Sequence, residues 1–112
     1  MSARLLETAA LESALQRFAD ERDWQRFHSP KNLAMALTAE VGELVELFQW
    51  QSEEASRQVG KDPATARAVR DELADVLIYL TRLASVLGVD LDEAVRTKMA
   101  ANALRYPPQA AG

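Results

Sequence analysis

Apolar positions recur along this chain at a spacing near 3.6 residues in several long segments, which predicts helices. The first runs from Leu5 to Glu21. Leu11, Leu15 and Phe18, with Ala19 and Leu5, share one side, and Glu and Arg take the others. Residues 20–27 break that regularity and carry Trp24 and Phe27 among charges, the pattern of a connector with an aromatic anchor. A second helix is predicted from Pro30 to about Trp50. Ser29 can cap it, and Pro30 suits the first helical position, where a missing N–H costs nothing. Its stripe is Leu33, Leu37, Val41, Leu44, Leu47 and Phe48. At about 100° per residue, Glu40 falls inside that stripe, Glu43 on its edge and Glu46 largely outside. A surface helix puts its glutamates opposite the apolar face, so Glu40 breaks the local rule, and such breaks mark function.

Residues 51–62 are polar, with Ser52-Glu53-Glu54 starting a short helical turn that stops near Gly60. Asp62-Pro63 repeats the cap-and-proline chemistry and opens a third helix to about Leu87, ended by Gly88. From Leu73 to Leu87 this helix is apolar nearly all round, which in so short a chain implies burial against another subunit. Glu72, Asp75 and Tyr79 share one of its sides. Residues 90–93 resemble a capping box, with Asp90 in place of Ser or Thr, and a fourth helix follows to about Arg105. Leu91 and Val95 begin its inner stripe, and Lys98, Asn102 and Arg105 continue it, so one end is expected in the core and the other at a polar cavity. Pro107-Pro108 ends the element. The fold class is all-α: four main helices in a bundle completed by oligomerisation. A single domain over residues 1–112 is expected, with its core at about 5–107 and loose ends at 1–3 and 108–112.

The acidic residues carry the chemistry. Glu40-Val41-Gly42-Glu43 and Glu72-Leu73-Ala74-Asp75 each place two carboxylates on one side of a helix. The pairs are mirror-symmetric about a point between Arg57 and Gln58, inside the polar stretch. Two helices folded back there bring four carboxylates to one level, and repulsion among them is best relieved by divalent cations. A single Glu-x-x-Glu is common on solvated helices. Two in mirror register, one inside an apolar stripe, favour a metal site over a surface salt-bridge network. The chain has no cysteine and one histidine, His28, outside both motifs, so thiolate sites are excluded and a di-iron bundle fits poorly. Oxygen-only ligands favour Mg²⁺, or Mn²⁺, and Mg²⁺ completes its shell with water and substrate phosphates. Lys98 and Arg105 could neutralise remaining phosphate charge, Asn102 could hydrogen-bond the ligand, and Trp24, Trp50 or Tyr79 could stack on a base. Taken singly, the two tryptophans are more often packing anchors, Lys98 a surface lysine, and His28 structural. Glu46, Glu53, Glu54 and Asp71 read as solvated charges.

Composition narrows this. The chain has 112 residues, 48% of them hydrophobic and 27% charged, the balance of one ordinary globular domain. Its net charge of −4 argues against a nucleic-acid polymer as partner. No apolar run reaches the roughly 20 residues of a membrane span, and no signal-peptide core is evident, so a cytoplasmic location away from membranes is expected.

Glu40-x-x-Glu43 followed by Glu72-x-x-Asp75 resembles the signature of the all-α nucleoside triphosphate pyrophosphatases, the MazG-like superfamily. Glu21-Arg22-Asp23-Trp24, the run from Asn32 to Trp50, Asp71 to Tyr79, and Lys98-Met99 through Asn102 to Arg105-Tyr106-Pro107 resemble its dCTP pyrophosphatase branch, so the likeness covers about Leu11 to Pro107. The resemblance implies a homotetramer, a dimer of dimers with active sites at subunit interfaces. It implies Mg²⁺-dependent cleavage of dCTP, or a related or modified nucleotide, to the monophosphate and pyrophosphate in nucleotide-pool sanitation. By position, Glu40, Glu43, Glu72 and Asp75 become catalytic metal ligands, Trp24, Trp50 and Tyr79 base or sugar contacts, and Lys98 and Asn102 substrate contacts. Vertebrate members of the branch have a base-facing histidine where Leu15 aligns here, a departure that bears on base selectivity. The alternative is a non-catalytic helical oligomerisation or nucleotide-binding module with a vestigial metal site.

Overall fold

Four helix starts follow from one device, an oxygen-bearing side chain that accepts a first-turn N–H. Ser29 Oγ accepts from Asn32 N at 3.1 Å and Ser52 Oγ from Ala55 N at 3.1 Å. Asp62 Oδ1 accepts from Ala64 N at 2.9 Å and Asp90 Oδ1 from Glu93 N at 3.2 Å. The computed structural model describes residues 3–109. These form α1 (Ala9–Glu21), a 3-10 turn (Gln25–Phe27), α2 (Pro30–Glu46), α3 (Glu53–Ser56), α4 (Pro63–Leu87) and α5 (Leu91–Arg105). There is no strand among the described residues, and the fold is all-α as expected. Most of the ends expected to be loose lie outside the described residues.

The chain folds back between α2 and α4, and this pair forms the main helix contact, with α1 packed on α4. Leu33, Ala19, Val59 and Ala84 are buried. Thr65 Oγ1 donates to the Val59 carbonyl at 2.7 Å and ties the connecting stretch to the first turn of α4. Gly88 stops α4 in the left-handed region at φ 72°, where a side chain would be strained. Several α4 residues expected to be covered all round are open, Leu73 at 53% exposure and Leu77 at 46%. Among the described residues no helix is long and apolar enough to cross a membrane.

Three expectations need correction. The first helix begins at Ala9, not Leu5, because Asp92 claims the backbone before it. Asp92 Oδ1 accepts the N–H of Leu5 at 2.6 Å and of Leu6 at 3.0 Å, while Oδ2 accepts from Arg96 Nε at 2.8 Å. The second helix ends at Glu46 and relaxes into turns through Trp50, with i−3 bonds such as Phe48 N to the Val45 carbonyl at 2.9 Å. The inner side of α5 is Leu91, Asp92 and Arg96, and Val95 is open to solvent, because a carboxylate already met by three donors can occupy the interior. Beyond that start α5 makes no extensive contact with another helix among the described residues.

Burial pushes the Asp92 carboxyl up, but hydrogen bonds from Arg96 and from Leu6 and Leu5 outweigh it and hold its pKa below the ordinary range. Asp92→Ala is therefore expected to lower the melting temperature by roughly 5 °C or more, since three donors lose their acceptor. Asp92→Asn, which keeps an acceptor oxygen, should lose less. Equal melting of Asp92→Ala and wild type by circular dichroism would refute this latch.

Candidate metal centre and nucleotide pocket

The folded-back pair α2 and α4 brings the acidic motifs together. Glu40, Glu43 and Glu72 each offer a carboxylate oxygen, and the three oxygens lie within 4.8 Å of one another. Glu40 and Glu72 are half-buried, as the place of Glu40 inside an apolar stripe leads one to expect, and Glu43 is exposed. The Oε2 atoms of Glu40 and Glu72 are shut off from water and have no hydrogen-bond donor. Asp75 is half-buried and stands outside this triad, but its charge acts on Glu40.

The electrostatics follow from crowding. Burial, then hydrogen bonding with Glu40 and Glu43 and their charge, pushes the Glu72 carboxyl up to about 7. Burial also raises Glu40, helped by the charges of Glu43 and Asp75, while its hydrogen bond with Glu72 acts the other way. Near neutral pH the cation-free cluster therefore retains a proton. Shielded, crowded carboxylate oxygens of this kind are costly unless a proton or a cation meets them. An all-oxygen donor set of this kind fits a hard divalent ion such as Mg²⁺ or Mn²⁺.

A second feature lies further along α4. A cavity of about 230 Å³ opens between α1, the 3-10 turn and α4, bordered by Leu15, Phe18, Trp24, His28, Tyr79 and Arg82. Trp24 reaches it because Asp23 takes a left-handed φ of 55°, which Asp tolerates, and Trp24 N then bonds the Ala19 carbonyl at 2.9 Å. The Trp24 ring meets Phe18 edge-on, with centroids 5.6 Å apart. Two residues from the expected ligand contacts, Trp24 and Tyr79, thus share one pocket, and Leu15 stands in its wall.

The other expected contacts are not gathered at this site. Trp50 is 89% exposed. Lys98 borders an open groove of about 570 Å³ at the α4–α5 corner, with Gly88, Asp90 and Glu93. Asn102 and Arg105 are exposed further along α5, and the Arg105 guanidinium sits 5.2 Å from the Tyr106 ring centroid. Sequence reasoning missed Arg82. The signal was present: Glu72, Asp75 and Tyr79 continue to Arg82 at i, i+3, i+7 and i+10, one unbroken helical side. His28, read as structural, does hold a buried partner, accepting from Arg82 Nε at 3.1 Å.

A helical hairpin that converges carboxylates from two such motifs defines a class. The MazG-like family model matches residues 35–111, spanning both acidic pairs and α5, and the chain belongs to this family. Among individual proteins, it is 52% identical over 90 residues to dCTP pyrophosphatase 1 of Homo sapiens, covering 80% of this chain and 53% of that protein. It is 51% identical over 90 residues to dCTP pyrophosphatase 1 of Bos taurus, with the same coverage of 80% and 53%. The chain thus spans about half the length of the curated relatives it matches. The crystal structure of a pyrophosphatase from Archaeoglobus fulgidus superposes with a TM-score of 0.84 at 38% identity, covering 96% of this chain and 99% of that one.

Proposed function

We propose that this protein is a cytoplasmic nucleoside triphosphate pyrophosphatase. It hydrolyses dCTP or a related or modified nucleotide to the monophosphate and pyrophosphate, and serves nucleotide-pool sanitation. The observation that carries this reading is the convergence of Glu40, Glu43 and Glu72 within 4.8 Å, with two oxygens shielded and unmet. The relatives named dCTP pyrophosphatase 1 support the substrate class.

Glu40, Glu43, Glu72 and Asp75 would hold Mg²⁺ or Mn²⁺, which when bound supplies positive charge to the triphosphate and acidifies water. The chain itself sets the distances. Asp75 and Tyr79 are four residues apart on α4, about 6 Å along its axis, so phosphates held at the acids leave the base level with Tyr79. Trp24 closes the other side of that pocket. Half-burial of Glu40 and Glu72 removes water that would compete for the anionic oxygens. Lys98, Asn102 and Arg105, carried away from the body on α5, would complete the site of a neighbouring copy with donors and positive charge. The open apolar side of α4 would be covered in the same assembly, a dimer of dimers. Light scattering should accordingly return the mass of a homo-oligomer, expected to be a tetramer; a monomeric mass would overturn the shared-site arrangement.

The function is tested by incubating pure protein with each deoxynucleoside triphosphate and Mg²⁺ and assaying pyrophosphate against orthophosphate. Pyrophosphate is expected. Orthophosphate would mean that a different bond is cut, and neither product would leave a non-catalytic module with a vestigial metal site.

A further inference from the structure

Trp24 and Tyr79 border one pocket from different elements, Trp24 from the connector and Tyr79 from α4. The spacing between them therefore depends on how the connector is seated. Its upstream end is fixed to α1. Trp24 N donates to the Ala19 carbonyl at 2.9 Å, and the Trp24 ring leans edge-on against Phe18. From Trp24 to His28 the chain is one tight unit. Phe27 N donates to the Trp24 carbonyl at 2.8 Å and His28 N to the Gln25 carbonyl at 3.1 Å. Among the described residues the 3-10 turn makes no extensive contact with α4. A side-chain hydrogen bond makes the tie there, Arg82 Nε donating to His28 Nδ1 at 3.1 Å. Arg82 itself is 4% exposed, and its Nη1 donates to Gln16 Oε1 at 2.8 Å. Gln16 is held in turn, its Nε2 donating to Asp20 Oδ1 at 2.8 Å. One guanidinium thus joins α4 to α1 and to the connector, about one helical turn beyond Tyr79. Both of these acceptors are neutral, and burying a cation on neutral acceptors is a poor source of stability. Such a group is suited to fixing geometry.

We propose that Arg82, acting through His28, is a positioning residue for nucleobase binding, holding the Trp24 connector against the α4 side of the pocket. The inference rests on the nucleotide site proposed above. It makes no choice among bases, because aromatic faces stack on any of them. The acids proposed for the phosphates lie elsewhere, on α2 and earlier on α4, so loosening the connector weakens ring binding and leaves the cleavage step in place. Arginine can only donate, so the bond requires a lone pair on His28 Nδ1. Burial, then the Arg82 charge, lowers the His28 pKa from 6.5, which keeps that nitrogen free of a proton at neutral pH. Protonation at lower pH removes the acceptor and sets cation against cation. Of the ionisable groups on the elements around the pocket, Tyr79 borders it from α4 and Asp20 of α1 is engaged by Gln16. In the connector, Asp23 and Arg26 pair at 3.3 Å, and the Arg22 guanidinium lies 3.5 Å from the Phe18 ring centroid. The charge that acts on His28 is Arg82.

The test is steady-state kinetics with dCTP and Mg²⁺. Arg82→Met and His28→Ala are each expected to raise KM roughly tenfold, with kcat held within about twofold. The double variant should be no worse than either alone, because both remove one hydrogen bond. His28→Asn, whose side-chain oxygen can accept in place of Nδ1, should restore the wild-type KM. In wild type KM should climb as pH falls below 6.5, and His28→Asn should abolish the climb. His28 is only partly buried, so its variants decide the matter even if Arg82→Met fails to fold. A second readout needs no nucleotide. In a Trp50→Phe background Trp24 is the one remaining indole, and acrylamide should quench it more strongly once His28→Ala is added. Unchanged KM in His28→Ala, a fall in kcat as large as the rise in KM, additive effects in the double variant, or unchanged quenching would overturn the proposal. Absence of turnover with every nucleotide would fall on the proposed function, and quenching would still decide whether Arg82 and His28 seat Trp24.

Discussion

Glu43→Gln and Asp75→Asn are each expected to cut pyrophosphate release roughly a thousandfold or more while leaving the helical circular dichroism unchanged. Glu43 is the exposed member of the carboxylate triad, so replacing it with its isosteric amide removes no packing. What disappears is one anionic oxygen within 4.8 Å of the other two. An amide is a neutral and weaker ligand for a hard cation, and the affinity of such sites is set largely by the number of negative ligands. Asp75 is half-buried and acts on Glu40 through its charge, so its neutralisation lowers the field on the same cluster. Repulsion among the remaining acids falls in both variants, so neither should melt below wild type in the absence of divalent ions. Full Mg²⁺-dependent turnover in both variants would end the assignment of these residues as a metal centre. Unchanged Mn²⁺ affinity by calorimetry would do so without reference to activity.

The second large effect is in stability. Without divalent ions, the contribution of Glu72 should decline as pH rises from about 4.5 to about 7. In the folded protein its carboxyl titrates near 7, raised from the ordinary 4.5. Between those values the folded state holds a proton that the unfolded state has released, so stability falls with rising pH, and Glu40 shifts in the same direction. His28 works oppositely. Burial, then the Arg82 charge, lowers its pKa from 6.5, so the unfolded state takes up the proton first and stability drops as pH falls below that value. The two slopes separate because only the carboxylate one is abolished by a cation that displaces the proton. Mg²⁺ should therefore raise the melting temperature more at about pH 8 than at about pH 5.5. Glu72→Gln should remove that difference. Equal Mg²⁺ increments at the two pH values in wild type would contradict the account.

Much of the fold was legible because it rests on local chemistry. Ser29, Ser52, Asp62 and Asp90 are caps wherever a helix follows, Pro30 and Pro63 are tolerated only at the start of one, and Gly88 stops one. The mirror register of the acidic pairs was legible for a related reason: helical rise is constant, so equal distances from a turn bring residues to the same level. What escaped was set by contacts distant in sequence. Nothing near Leu5 says that its N–H will be taken by Asp92, and so periodicity alone carries the first helix a turn too far. Asp92 looks like one more first-turn acid until Leu5, Leu6 and Arg96 are seen to converge on it. On the inner side of α5, periodicity favours Val95, but a carboxylate that brings its own donors takes the interior instead. Arg82 lay on a helical side already identified, but its meaning depends on Gln16 and His28, 66 and 54 residues away in sequence.

By itself, then, the sequence determined that this protein is all-helical, where its helices start and stop to within about a turn, and that two acidic pairs face each other. Periodicity and capping act over a few residues and need no partner. Only the tertiary structure decided which carboxylates meet: Glu40, Glu43 and Glu72 closely, with Asp75 beside them. It alone set the fully buried Asp92 as the latch of the N-terminal segment and placed a buried guanidinium at the head of the Trp24–Tyr79 pocket. The reason is physical. The cost of burying a charge depends on every group around it, and those groups come from elements that only folding brings together.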